Sequence, residues 1–519
     1  MLPILASLAF ASVHEDHQRE FGTSEVPYRP PRPALLPAVT PGPDRIVYGY
    51  EAYWNADLNA VPWDHISHLA IFSAEATTSG GLTNAARFDR AADAVQIAAP
   101  YGVKVHLCVT NFNTSELTTL LGSESARTTL INNIVAQVER TGAHGVNIDF
   151  EGLPASRRQQ MITFVQDLDA RVDEVVLATP AVDWSGAWDY SELSEHAMLF
   201  IMGYGYYWGG SSTAGPTDPL YGGGGWGTYS LDWTVRDYLT NEADPSKVIL
   251  GLPLYGMRWS TASGDVRAAA TGTGSSIVFS TAWTEMATHG ARYDTQSHTP
   301  WWYDGSRQGW AGNADSVRDR IEYADNAGIA GFGFWALHYT GSDSSGVWNM
   351  IDEETSIEID DTDTDDTGDS DPDTDTDTGG DPEGGGFVAD AGRPFLAYPG
   401  DTVVLSAEWS SGPGELAYRW TQASGPDARL DATDVVSPSF VPTVPGTYAF
   451  DVEVGDGDTF PASDRTYVVV LDRGVGAAYR SCGTLPGPSA LGVGVIALLA
   501  VGRRVTSGRA RRGPGGSSR

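Results

Sequence analysis

Apolar, strand-like runs recur through the first two thirds of the chain, at 46–53, 65–72, 103–109, 145–151, 175–180, 198–204, 248–255 and 329–337. Between them lie stretches with apolar residues three and four apart, most clearly over 124–141 and 156–172, the period of a helix facing a core. Eight strands alternating with helices predict an α/β fold, a (β/α)8 TIM barrel over residues 45–352. The gap before the last strand is too long for a simple connection, so residues from about 260 to 310 are expected to form a small α+β insertion between strands seven and eight.

The pattern stops after Ile351. Residues 353–386 are aspartate, threonine and glycine repeats that cannot build a core and read as an acidic tether. Their spacing lacks the glycine turn and terminal glutamate of a calcium loop, so no metal is expected there. Alternation returns in Tyr448-Ala-Phe-Asp-Val-Glu-Val454, with a partner strand at 417–422 and glycine turns, predicting an all-β sandwich over 387–472 in which Trp420 is a core residue. Ahead of the barrel, residues 14–44 form a lead-in, proline-rich and extended over 25–44, and residues 1–13 a signal-like segment whose Ala9-Phe10-Ala11 suits cleavage. Residues 473–519 combine Cys482-Gly-Thr-Leu-Pro, a short apolar run over 490–501 and an arginine-rich end. That run is shorter than the roughly 18 to 20 residues that cross a bilayer comfortably.

The chemistry is concentrated in Gly145-Val-Asn-Ile-Asp-Phe-Glu-Gly152. Alternation places Asn147, Asp149 and Glu151 on one face of a strand and Val146, Ile148 and Phe150 on the other. Two acids and an amide on a buried strand are costly to desolvate, which marks them as chemistry and not filler. At the C-terminal end of a barrel strand they would face substrate.

The octet 144–151 resembles the Asp-Gly-x-Asp-x-Asp-x-Glu signature of family 18 glycoside hydrolases, the chitinases and their relatives, with His144 and Asn147 replacing two aspartates. Its Asn-Ile-Asp-Phe-Glu form is similar to that of spore-cortex peptidoglycan hydrolases. Met202-Gly-Tyr-Gly205 resembles the family's Met-x-Tyr-Asp, lacking the carboxylate at Gly205, for which Tyr206 or Tyr207 could stand in. Gly331-Phe-Gly-Phe-Trp335-Ala-Leu resembles the family's closing segment, where a tryptophan floors the pocket of the cleaved sugar.

The resemblance implies Glu151 as general acid, Asp149 as the group that orients the substrate's acetamide, Tyr204 as donor to the acetamido oxygen, and Asn147 as a residue that orients Asp149 by hydrogen bonding. Trp335, Tyr50, Met202, Tyr255 and Trp259 are the expected substrate-binding residues, with Tyr50 on strand one and Tyr255 and Trp259 on strand seven. The implied activity is an exported hydrolase of β-1,4-linked N-acetylglucosamine polymers, chitin or its oligosaccharides. It would act by substrate-assisted retaining catalysis without cofactor or metal. A peptidoglycan N-acetylglucosaminidase and a catalytically weak chitinase-like lectin are the alternatives. Residues 387–472 resemble PKD or immunoglobulin-like modules, and the tail resembles myxobacterial C-terminal sorting signals, which would place the protein outside the cell or on a Gram-negative surface and could anchor it to a membrane.

Bulk properties fit this reading. A length of 519 residues suits a barrel with smaller appendages, and a formal charge of -35 would repel nucleic acid while suiting a neutral glycan partner. Only two cysteines occur, Cys108 and Cys482, too few for a disulfide framework. A monomer is expected.

Overall fold

The computed structural model describes residues 12–23, 28, 30, 31, 34–36, 45–55, 57–341, 346–355 and 387–472. Eight parallel strands follow one another around a closed barrel: β1 (Ile46–Ala52), β2 (His68–Ala76), β3 (Lys104–Asn111), β4 (Gly145–Phe150), β5 (Val175–Pro180), β6 (Met198–Met202), β7 (Val248–Pro253) and β8 (Gly331–Trp335). Closure is made by β8 pairing with both β7 and β1, and by β1 pairing with β2. Strands buried on both sides need apolar residues at nearly every position, and β6, Met-Leu-Phe-Ile-Met, is such a run.

Helices cover the barrel where capping and periodicity agree. The helix Glu124–Thr141 starts at Ser123, whose hydroxyl accepts from the amide of Ala126, and ends at Gly142 in a left-handed turn. It turns Leu130, Ile131 and Ile134 onto the strands. The opposite mouth of the barrel is closed by a polar group: His68 Nε2 and His106 Nε2 lie 3.2 and 3.1 Å from Glu174 Oε2, and Lys104 bonds the other oxygen. Burial alone would raise the Glu174 pKa, but the hydrogen bonds from His106, His68 and Lys104 outweigh it and hold the carboxyl well below its usual range.

The insertion between β7 and β8 is a five-stranded antiparallel sheet (Tyr255–Ser260, Ser275–Val278, Arg292–Asp294, Thr299–Tyr303, Arg307–Trp310) packed with the helix Phe279–His289. It starts at Tyr255, directly after β7 ends at Pro253. Tyr255 and Trp259 therefore belong to its first strand and not to strand seven, a boundary the unbroken apolar run hid.

Residues 387–472 build a β-sandwich whose larger sheet runs Phe395–Ala397, Ala462–Val470, Gly446–Gly455, Ala417–Ser424. Trp420 is in its core with Phe440, Tyr448 and Phe450. Two stretches ahead of the barrel form regular structure, and the strand among them agrees with the extended reading of 25–44. Ala34–Leu35 adds to this sheet as an edge strand against Phe395–Ala397, and Leu36, Leu396, Tyr398, Val469 and Leu471 join the barrel's own apolar cluster. Residues Val13–Phe21 form a helix, α1, which crosses the expected boundary between signal-like segment and lead-in. The segments 1–11, 356–386 and 473–519, which hold most of the signal-like segment, tether and sorting tail, lie outside the described residues. Among the described residues no helix is long and apolar enough to cross a membrane.

Candidate active site

Strand β4 carries Asn147 and Asp149 on one face, both fully buried, and ends at Phe150 so that Glu151 stands at the rim. The turn after it is fixed by Gly152, whose φ of 73° favours glycine and whose missing Cβ leaves room for the Thr114 hydroxyl bonded to its carbonyl. The rim position gives the Glu151 side chain 14 % exposure beside the fully covered Asp149. Burial, and then the charge of Asp149, push the Glu151 pKa well above the usual carboxylate range, against a smaller opposing pull from the hydroxyl of Ser12.

Tyr204, two residues past the end of β6, aims its hydroxyl at the same place, and Trp335 at the end of β8 lies beneath it with Phe72 and Tyr50 packed edge-on at 4.8 and 5.4 Å. Burial raises the pKa of Tyr204 far above normal, so its hydroxyl keeps its proton. Asp149, Glu151, Tyr204, Tyr50 and Trp335 are thus brought together. Tyr255 reaches the edge of this group through a perpendicular contact with Tyr204 at 6.0 Å. Met202 ends β6 in a buried position. Trp259 does not join: it is covered within the insertion, opposite Gln308.

The expected hydrogen bond from Asn147 to Asp149 is not formed. The Asn147 amide donates to the Tyr50 hydroxyl at 2.9 Å, and its oxygen accepts from the Cys108 thiol at 3.2 Å. Side chains two apart on a strand start about 6.6 Å from each other, too far for a short amide to bridge when nearer partners are available. Neither neighbour of Gly205 replaces the missing carboxylate: the Tyr206 hydroxyl pairs with Thr234 at 2.6 Å and that of Tyr207 with the carbonyl of Trp226 at 3.3 Å. Gly205 itself has φ 82°, and a Cβ there would stand 3.3 Å from the Val13 side chain. His144, at the other end of β4, accepts from the amide of Val105 and is remote from the chemistry.

The residues that pattern reading missed come from α1. Ser12 donates to Glu151. His14 Nδ1 is 2.7 Å from Asp149 Oδ2, its Nε2 is 2.7 Å from the Tyr204 hydroxyl, and its ring lies over Trp335 with centroids 3.8 Å apart. His17 Nδ1 accepts from Trp335 Nε1 at 2.9 Å and contacts the Tyr339 hydroxyl at 3.1 Å. Burial, with the neighbouring His14 and His338, lowers the His17 pKa to about 3, so this imidazole is neutral. A sequence signal for the helix existed: Ser12-Val-His-Glu15 has the spacing of a capping box, and Ser12 does accept from the Glu15 amide.

The family model for glycosyl hydrolases family 18 matches residues 45–340, and a PKD domain model matches 395–470. Among curated proteins, Bacillus subtilis YdhD, which bears the name of a sporulation-specific glycosylase, is 27 % identical over 37 % of this chain and 46 % of its own length. Mouse (Mus musculus) Chitotriosidase-1 is 25 % identical over 31 % of this chain and 41 % of its own. This chain therefore spans less than half the length of these relatives. The solved GH18 chitinase from Cycas revoluta in complex with (GlcNAc)3 superposes with a TM-score of 0.54 at 18 % identity, covering 60 % of this chain and 99 % of that one, and shares the fold. The closed barrel, its carboxylate-bearing fourth strand and a family match across more than half of the sequence together establish that the chain belongs to glycosyl hydrolases family 18.

Proposed function

We propose that this protein is an exported glycoside hydrolase that cleaves β-1,4-linked N-acetylglucosamine polymers by substrate-assisted retaining catalysis. The observation that carries the reading is the convergence of Asp149, Tyr204 and Glu151 around one ring-sized position above Trp335, the position that the His14 imidazole fills. A sugar placed there would stack on Trp335. Its acetamido N–H would meet Asp149, whose Oδ1 is buried with no hydrogen-bond partner among the described residues, and its carbonyl oxygen would accept a hydrogen bond from the Tyr204 hydroxyl. Glu151, held protonated by its surroundings, would give its proton to the glycosidic oxygen while the acetamido oxygen attacks the anomeric carbon. The resulting ionised Glu151 would then take a proton from water as it opens the cyclic intermediate. Asp149 would stabilise the charge that develops on the acetamide nitrogen.

Support for the substrate class comes from relatives: the Cycas revoluta chitinase is bound to (GlcNAc)3, and curated relatives include a chitotriosidase. The Asn147 form of the motif and a relative named cortical fragment-lytic enzyme favour a second reading, peptidoglycan as the polymer. The Ala9-Phe10-Ala11 pattern and the arginine-rich tail support export and surface attachment.

The test is product mass analysis after incubation with N-acetylchitotetraose, its fully de-N-acetylated counterpart, chitin and peptidoglycan, with Glu151→Gln alongside. Cleavage confined to N-acetylated substrates and abolished in Glu151→Gln is expected. Equal turnover of the de-N-acetylated tetramer would refute substrate assistance, and chitin and peptidoglycan fragments identify the polymer.

A further inference from the structure

The helix α1 is built to fit the catalytic cleft. Val13, His14, His17, Gln18 and Phe21 share one face at helical spacing and turn into the barrel mouth, while Glu15, Asp16 and Arg19 form ion pairs on the outer face. His14 is fully buried, and a buried imidazole is costly unless its nitrogens are paired. Both His14 nitrogens are paired, with the carboxylate and hydroxyl assigned above to the substrate's acetamide, and Ser12 takes the proposed acid. Val13 packs against Gly205, where a Cβ would stand 3.3 Å from its methyl group, so the position that departs from the family's Met-x-Tyr-Asp pattern is one the helix contacts. Farther along, Gln18 Nε2 bonds Glu75 at 3.1 Å and the Tyr53 hydroxyl bonds the carbonyl of Gly22 at 3.3 Å. The cleft continues on both sides of the helix, along Glu75, Asn111 and Glu116 on one flank and Tyr207, Trp208 and Tyr255 on the other, so α1 lies across its middle.

We propose that Ser12–Phe21 is an internal ligand of the catalytic cleft, a histidine-bearing helix that occupies the sugar position and keeps the enzyme latent until it is displaced. The proposal rests on the reading of the site given above. It adds a ligand class, an imidazole-presenting peptide, for which Asp149 and Tyr204 act as paired hydrogen-bonding partners and Trp335 as the stacking surface. Glycan and helix compete for the same atoms, so substrate reaches Glu151 productively only in the fraction of molecules from which His14 is displaced, and wild-type turnover is reduced by that fraction. Tethering to the barrel gives the helix a high effective concentration at the cleft, which lets a short segment compete with a polymeric substrate.

The full chain is compared with a His14→Ala/His17→Ala variant by N-acetylchitotetraose hydrolysis and by amide hydrogen exchange across residues 13–21. Arg19→Ala, altered on the outer face, is the control. At least a tenfold gain in kcat/KM is expected for the double variant and none for Arg19→Ala, with the amides of 13–21 protected in the wild type and exchanging freely in the double variant. A synthetic peptide of residues 12–22 added to the double variant should restore inhibition competitively, and the same peptide with alanine at the two histidine positions should not, which also shows that the variant is folded. Wild-type hydrolysis as fast as the variant's, with 13–21 unprotected in both, would overturn the proposal. Amides of 13–21 protected in the wild type, with tetramer binding seen only in the double variant and cleavage by neither protein, would uphold the internal ligand and refute the hydrolase reading.

Discussion

Replacing Asn147 by aspartate restores the family's usual residue, and the structure says what that costs here. The side chain is fully buried, with its amide bonded to Tyr50 and its oxygen to Cys108. An aspartate can keep both contacts, because the Tyr50 hydroxyl, whose pKa burial drives far upward, can rotate to donate. What changes is charge. The new carboxylate would stand two strand residues from Asp149, about 6.6 Å away at a rise of ~3.3 Å per residue. At an effective dielectric of about 20 the repulsion is about 2.5 kcal/mol, equivalent to about 1.8 pKa units. Desolvation acts in the same direction, so the new group has a folded pKa above its unfolded value of about 3.9. A group raised in this way leaves stability intact below the unfolded pKa and withdraws it as pH rises toward the folded one. Asn147→Asp should therefore melt close to the wild type near pH 4 and roughly 5–10 °C below it at pH 8, taking about 2–4 °C per kcal/mol for a domain of this order of size. The assay is differential scanning calorimetry of both proteins from pH 4 to 8. A deficit that is the same at every pH would refute the electrostatic argument and point to lost packing instead.

Tyr204→Phe, made in the His14→Ala/His17→Ala background so that release of α1 does not mask the effect, should lower kcat/KM on N-acetylchitotetraose about 10- to 100-fold. That is the loss of one charge-assisted hydrogen bond of roughly 1.5–3 kcal/mol, and an unchanged value would remove Tyr204 from the site. Glu174→Gln should be less stable than the wild type at pH 7, and the gap should begin to narrow only below pH 4.5, since a carboxyl held well below its ordinary value of 4.5 gives stability that is present above that value and lost as pH falls toward the folded pKa; thermal melts from pH 7 to pH 3 should show a constant gap down to about 4.5 and a shrinking one below it. Trp420→Ala, cutting a fully covered ring from the sandwich core, should cost about 3–5 kcal/mol and separate a low-temperature transition in calorimetry while tetramer hydrolysis is unchanged; a parallel loss of hydrolysis would show that the sandwich holds the barrel in shape.

The alternation over 145–151, the helical spacing over 124–141 and the long gap before β8 are enough to predict the barrel, its carboxylate-bearing strand and its insertion, because each is a short-range pattern that the sequence carries within a few residues. The boundary at Tyr255 was not legible, since one apolar run continues through two sheets, and neither was the partner of Asn147, which depends on Tyr50 and Cys108 from other strands. The largest difference lies at the start of the chain. Ser12, His14 and His17 occupy a stretch that composition reads as signal and lead-in, yet His14 meets residues 135 and 190 positions away. No local pattern encodes a contact of that separation; only closure of the barrel, which gathers Asp149, Tyr204 and Trp335 at one mouth, creates a surface that the helix can fill. The sequence by itself determined the barrel strands and which residue types line the site, because both follow from local alternation, and the tertiary structure decided their partners and what occupies the site.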